Sequence, residues 1–140
     1  MTLPPFHLAI RVDDLVEAER FYAGTLGAGI GRRGDRWIDF DLCGHQVVVH
    51  LDESMETAPE ANNPVDGNQV PVPHFGIVFS MEQWRSLGDR LAASGTDFVI
   101  APRTRFVGAT GEQGTFFVRD PAGNALEFKG FRDISQLFAS

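Results

Sequence analysis

The sequence predicts an α+β domain built from two βαβββ modules, with the helices on the outer face of the sheet. Two segments, His7-Leu-Ala-Ile-Arg-Val12 and His74-Phe-Gly-Ile-Val-Phe79, alternate as half-buried strands, and each opens on histidine. A capped helix signal follows each of them, and strand signals follow each helix. That order, repeated within 140 residues, is an internal duplication.

The first strand is expected over 7–12. Asp14 with Glu17 three residues on is a capping-box-like start, and Leu15, Ala18, Tyr22 and Leu26 then recur at helical spacing up to Gly27, a natural stop. Residues 31–35 read as a polar turn, and strands follow over 37–42 and 46–51. Residues 52–73 are acidic, carry prolines and lack periodicity, which predicts a solvated linker or a flap over a site. In the second module Ser80 and Gln83 repeat the capping pattern. Met81, Trp84, Leu87 and Leu91 mark the helix and Gly95 ends it. Strands follow over 98–100, 115–119 and 125–131. The turn Asp120-Pro-Ala-Gly-Asn124 makes the last pair a hairpin, and 133–138 can add a short helix. The expected organisation is one domain: a first module over 1–52, a linker or flap over 53–73, a second module over 74–131 and a tail over 132–140.

Composition agrees with one compact domain, with 43% apolar and 22% charged residues. Twelve basic residues against 19 acidic ones give a net charge of −7, which speaks against binding a nucleic-acid backbone. Cys43 is the single cysteine, so no internal disulfide or cysteine-paired metal ribbon is available, and a cytoplasmic location is the simplest expectation. No apolar run reaches the roughly 18 residues of a membrane span, and no secretory leader is legible.

Strand parity then sorts the polar residues. With Leu8, Ile10 and Val12 facing the first helix, His7, Ala9 and Arg11 turn to the other side of the sheet. The same rule sends Gln46, Val48 and His50, then Trp37, Asp39 and Asp41, then His74, Gly76 and Val78, and finally Glu127 and Lys129 to that face. A sheet curled around it would enclose a cavity. A single strand histidine is ordinarily a hydrogen-bonded rim residue. Two that open equivalent strands, together with a carboxylate set between Leu126 and Phe128, are better explained by a divalent metal, because a buried unpaired carboxylate costs several kcal/mol.

These residues resemble the vicinal oxygen chelate superfamily, which includes glyoxalases, extradiol dioxygenases, fosfomycin-modifying transferases and bleomycin-binding proteins. The resemblance runs from Phe6 to about Phe131. It rests on His7, on Phe21-Tyr22 and Leu26-Gly27 at the first helix end, on His74, and on Asp120-Pro-Ala-Gly-Asn-Ala-Leu-Glu127. Trp37-Ile-Asp-Phe-Asp41, Gly44-His-Gln46, Asn63-Pro-Val-Asp-Gly67 and Val70-Pro-Val-Pro-His-Phe-Gly76 are similar to a bacterial extradiol-dioxygenase-like subgroup. The resemblance implies that the paired modules form a half-barrel sheet around a central metal cavity. It implies further that His7, His74 and Glu127 hold the metal, and that the protein is a homodimer acting on a small molecule.

Two histidines and a carboxylate suit Fe(II), the metal expected first, and equally Mn(II), Ni(II) or Zn(II). His50 stands where glyoxalase-like members carry a liganding glutamate, one step further along the strand. It is read as a catalytic acid/base, with a fourth ligand or a substrate partner as alternatives. Trp37 and Phe117 are candidates to stack on substrate, and Arg103 and Arg105, read as loop residues, to bind a substrate carboxylate. The expected activity is extradiol ring cleavage of a catecholic substrate. The alternatives are a glyoxalase-like isomerase, lyase or thiol transferase using a redox-inert metal, and a non-catalytic binding protein.

Overall fold

The structure, a computed structural model, describes residues 3–56, 61–65 and 67–140. The chain divides into two compact units, Met1–Ala58 with Asp120–Gly123, and Pro59–Arg119 with Asn124–Ser140.

The first unit runs β1 (His7–Val12), α1 (Leu15–Glu19), a π-helical continuation (Arg20–Thr25), β2 (Gly29–Arg33), β3 (Trp37–Leu42) and β4 (His45–Leu51). Its sheet has the order β1-β4-β3-β2, with β1 parallel to β4 and the other pairs antiparallel. Asp14 caps α1 by accepting from the Val16 and Glu17 amides at 2.9 and 3.1 Å, and Gly27 ends the helical run at φ +79°. Period-two burial fixes the faces: Val12, Ile38, Phe40, Leu42, Val47 and Val49 are buried, and His7, Ala9, Arg11, Gln46 and His50 are exposed. Tyr22 lies fully inside against the Phe40 ring, and its hydroxyl donates to Asp120 Oδ2 at 2.8 Å.

The second unit opens with a hairpin, β5 (Ala61–Val65) and β6 (Asn68–Val72), followed by β7 (Val78–Ser80), α2 (Met81–Ala93), β8 (Ile100–Arg105), β9 (Gln113–Arg119), β10 (Ala125–Phe131) and a 3-10 turn at Ile134–Gln136. The sheet order β7-β10-β9-β8 repeats that of the first unit. Ser80 and Gln83 form the expected capping box at the start of α2. The helix buries Met81, Trp84, Gly88 and Leu91, and Trp84 seats it on the sheet. Cβ atoms on Gly114 or Gly130 would lie 2.4 Å from the Trp84 side chain, so both strands are notched beneath it, and Trp84 Nε1 donates to the Phe128 carbonyl at 3.0 Å. Phe116 and Phe128 complete this layer with ring centroids 5.5 Å apart.

The α+β class and the repeated βαβββ order agree with the sequence, but the half-barrel around a central metal cavity does not form. Each sheet ends in edge strands of its own, β1 and β2 in one and β7 and β8 in the other, and no ladder among the described residues joins them. A barrel interior buries its inward residues. Here His7, Arg11 and His50, the residues assigned to such an interior, are exposed.

Four smaller differences have local causes. The expected turn at 31–35 is strand through Arg33, because Gly31 allows close approach to Asp39. The strand expected at 98–100 lies at 100–105 and takes in Arg103 and Arg105 through an irregularity in register between Ile100 and Arg103. The stretch read as linker or flap contains the β5–β6 hairpin, paired from Ala61↔Val72 to Val65↔Asn68; residues 57–60 and 66 of that stretch lie outside the described ones. The strand expected over 74–79 is regular only from Val78, with Phe75 joined to Leu126 by a single bridge.

Candidate functional site

The tightest polar constellation in the second unit is built on β10, on β9 and on the segment leading into β7. Glu127 projects from the middle of β10, opposite Phe117 of β9. Its position relative to His74 is set by the backbone: the Glu127 amide donates to the Phe75 carbonyl at 2.8 Å and the Lys129 amide to that of Ile77 at 3.0 Å. Between these bonds Gly76 lets the two chains touch, since a Cβ there would fall 1.5 Å from the Glu127 carbonyl oxygen.

His74 Nε2 lies 3.2 Å from Glu127 Oε1, and the two side chains are 27% and 15% exposed. The other ring nitrogen, Nδ1, is 2.7 Å from the Pro71 carbonyl. A carbonyl only accepts, so Nδ1 carries the hydrogen. In the neutral ring Nε2 is then a lone pair aimed at a carboxylate oxygen, and a cation between them removes the repulsion. The second carboxylate oxygen is held by Thr115, whose hydroxyl donates to Oε2, and the imidazole meets the edge of Phe117 at a centroid distance of 5.0 Å.

The separation suits a metal as well as it suits a proton. Nitrogen and oxygen donors bound at about 2.0 to 2.2 Å on adjacent positions of one divalent cation lie about 2.8 to 3.6 Å apart, from octahedral to tetrahedral geometry. His74 and Glu127 thus fit two of its ligands. Among the described residues no group of three or more His, Cys, Asp or Glu side chains gathers to hold a metal ion.

In the first unit the exposed sheet face carries His7 and His50 in different rows. His7 is level with Gln46 and Asp41, whereas His50 stands between Arg11 and Trp37, about 13 Å further along β4. His7 Nδ1 is 2.7 Å from Gln46 Oε1, and Gln46 Nε2 donates to Asp39 Oδ2 at 3.3 Å. Trp37 is half-buried, packed on Gly34 with the Arg32 guanidinium 5.8 Å from its ring. Arg11 pairs with Asp52 at 3.3 Å. That carboxyl is held below its ordinary range, first by the Ser54 hydroxyl and then, against partial desolvation, by the Ser54 amide and Arg11. His45 accepts from the Phe6 amide at 2.9 Å.

Phe117, expected to stack on substrate, is buried with Val70 and Ile100, and its polar contact is the His74 ring. Arg103 is half-buried on β8, level with Thr115 and on the face that carries Glu127; Arg105 follows two residues on, its guanidinium 4.8 Å from the Phe106 ring. A cleft of about 440 Å³ in the same unit lies elsewhere, lined by residues 108–110 with Glu112, Arg132, Asp133 and Gln136. Three participants escaped the sequence reading. Thr115 has the parity of Phe117 and was open to inference; the Pro71 carbonyl, a backbone group, leaves no signal in the residue pattern. The Gln46–Asp39 contact needs a diagonal across two strands that parity alone does not specify.

The Glyoxalase/Bleomycin resistance protein/Dioxygenase superfamily model matches residues 5–128. The chain belongs to this superfamily. A glyoxalase/bleomycin resistance protein/dioxygenase from Alicyclobacillus acidocaldarius is similar in structure, with a TM-score of 0.77, 34% identity and 96% of each chain covered. A virulence protein of Salmonella typhimurium is 28% identical over 132 residues, 89% of this chain and 82% of its own length. A lactoylglutathione lyase from Agrobacterium tumefaciens shares the superfamily fold at 20% identity, with a TM-score of 0.67 and coverage of 98% and 97%. The match is to the superfamily as a whole, and the extradiol subgroup suggested by the sequence is not singled out.

Proposed function

We propose that this superfamily member is a metal-dependent enzyme of the glyoxalase type, an isomerase, lyase or thiol transferase that acts on a small oxygen-bearing substrate with a redox-inert divalent metal. The His74–Glu127 pair carries the reading: two donors 3.2 Å apart, with the imidazole hydrogen engaged by Pro71 so that Nε2 is free to ligate. His7, on the first unit, is carried as a separate donor. Zn(II), Ni(II) or Mn(II) would be held by these residues and, when bound, supply Lewis-acid polarisation of a substrate oxygen.

The chain's own residues do the rest. Thr115 fixes the Glu127 carboxylate through Oε2, and Phe117 braces the His74 ring and keeps water from its edge. His50, exposed between Arg11 and Trp37 and about 13 Å along β4 from the row of His7, lies beyond proton-transfer reach of that donor and takes no step in the proposed reaction. Arg103, on the face of Glu127, offers a cation to a substrate carboxylate, and Arg105 extends the charge along β8.

The extradiol reading uses the same types of donor with Fe(II) and O₂. A lactoylglutathione lyase and fosfomycin resistance proteins share this fold, which supports the redox-inert reading. Metal-free protein titrated with Zn(II), Ni(II), Mn(II) or anaerobic Fe(II) should melt at a higher temperature, by about 2.7 kcal/mol of stabilisation at a hundredfold excess over Kd. His74→Asn and Glu127→Gln should remove the shift. A melting temperature indifferent to every metal would overturn the proposal in favour of a binding protein, and oxygen uptake with a catechol by the Fe(II) form would replace it with the dioxygenase.

A further inference from the structure

We infer that Asp39 and Gln46 are positioning residues for His7, holding its imidazole in the tautomer that carries hydrogen on Nδ1 and leaves Nε2 as a lone-pair donor. The inference rests on the proposed function in taking that Nε2 as a metal ligand. The order of the three groups has only one consistent pattern of hydrogens. Asp39 is a carboxylate and only accepts, so the group of Gln46 that faces it at 3.3 Å is the amide nitrogen. The Gln46 oxygen is thereby turned toward His7, 2.7 Å from Nδ1, and an amide oxygen also only accepts. Nδ1 must donate, which in the neutral ring leaves Nε2 bare.

Free histidine prefers the opposite tautomer, with hydrogen on Nε2, in which that nitrogen cannot ligate. The contact therefore selects the less common form. Position as well as tautomer is fixed: His7 and Gln46 are level on parallel strands, and Asp39 reaches Gln46 diagonally from β3, so the chain of contacts spans three strands of one sheet. His74 in the second unit reaches the same tautomer by another device, the Pro71 carbonyl. His7 at the start of β1 and His74 in the segment leading into β7 thus present the same nitrogen. A carboxylate or carbonyl behind a ligating imidazole is the usual means of orienting it; here an amide relays the carboxylate.

The test reads the imidazole nitrogen chemical shifts of His7 in metal-free protein at a pH where the ring is neutral, and then Zn(II) affinity. In the wild-type chain Nδ1 should resonate as a protonated nitrogen and Nε2 as an unprotonated one. Gln46→Leu should average the two signals toward the opposite tautomer. Gln46→Glu, which still accepts from Nδ1, should restore the wild-type pattern. Asp39→Asn, whose side chain can also donate, should let the Gln46 amide turn over and give a mixture. All of these side chains lie outside the buried core, so the variants keep the fold. Gln46→Leu should weaken Zn(II) binding about tenfold or more. Wild-type shifts in Gln46→Leu would overturn the positioning role, as would a shifted tautomer with unchanged Zn(II) affinity. If the shifts behave as expected and the wild-type protein takes up no Zn(II), the tautomer device stands and the metal-dependent reading falls.

Discussion

Replacing Gly76 by alanine should damage stability and the candidate metal pair together. The added methyl would sit 1.5 Å from the Glu127 carbonyl oxygen and 2.6 Å from its carbon, whereas real Cβ contacts essentially never fall below 3.0 Å. The neighbour is backbone, not the far end of a flexible side chain, so the two chains must separate by roughly the missing 1.5 Å. Two amide bonds bracket the contact, from Glu127 to Phe75 and from Lys129 to Ile77, and both would stretch beyond hydrogen-bonding range. With about 1 kcal/mol for each bond and about as much again for residual strain, the loss is about 3 kcal/mol. In a chain of this size that lowers the melting temperature by about 10 °C. The same separation carries His74 away from Glu127, so Zn(II) stabilisation of the variant should fall as well. Urea and thermal denaturation, with and without Zn(II), measure both effects. A Gly76→Ala protein within 0.5 kcal/mol of wild type and with undiminished metal response would refute the reasoning, since the register of β10 would then not depend on this approach.

Other outcomes are expected from the two cores and the surface. Trp84→Ala removes the side chain that fills the notch over Gly114 and Gly130, along with its hydrogen bond to the Phe128 carbonyl; it should cost about 3 to 5 kcal/mol by urea denaturation. Burial, then the nearby Asp120 charge and its hydrogen bond, push the Tyr22 phenol well above its usual 10.0. Because the folded state favours the protonated form, this stability is complete below pH 10 and is lost as pH rises above it. Tyr22 is the chain's single tyrosine, so phenolate absorbance reads it directly, and Tyr22→Phe should abolish the alkaline loss while costing about 1 to 3 kcal/mol at neutral pH. Glu112 has the opposite sign: the Gly108 amide first, and Arg132 after it, hold its carboxyl below 4.5 against some desolvation. Its contribution is present above that pH and is lost as pH falls through the lowered value, and Glu112→Gln should flatten the acid limb of the stability profile measured by urea titration.

The duplication was legible because its signals are local. Histidine-led strands, Asp14 and the Ser80–Gln83 box, and the stops at Gly27 and Gly95 each act within a few residues, and the structure repeats βαβββ with the same strand order in both units. Parity also put His7, His50 and Glu127 on the faces away from the helices, because the alternation of a strand is a property of its own backbone. Elements governed by contacts with distant chain were misread. Residues 31–33 and 101–105 are strands because β3 and β9 lie beside them, and among the described residues β5 and β6 pair with each other alone, through Asn- and Pro-bearing segments of low strand propensity.

What the sequence by itself determined is the superfamily and the repeated module. Only the tertiary structure decided whether the sheets curl, since closure depends on edges meeting far apart in sequence; each sheet instead keeps its own edges. It also decided which donors meet: His74 and Glu127 are 53 residues apart and come within 3.2 Å because Gly76 admits the Glu127 backbone. The hydrogens on both histidines were settled there too, by a carbonyl and an amide whose roles follow from geometry, because a tautomer is chosen by the group that stands behind the ring.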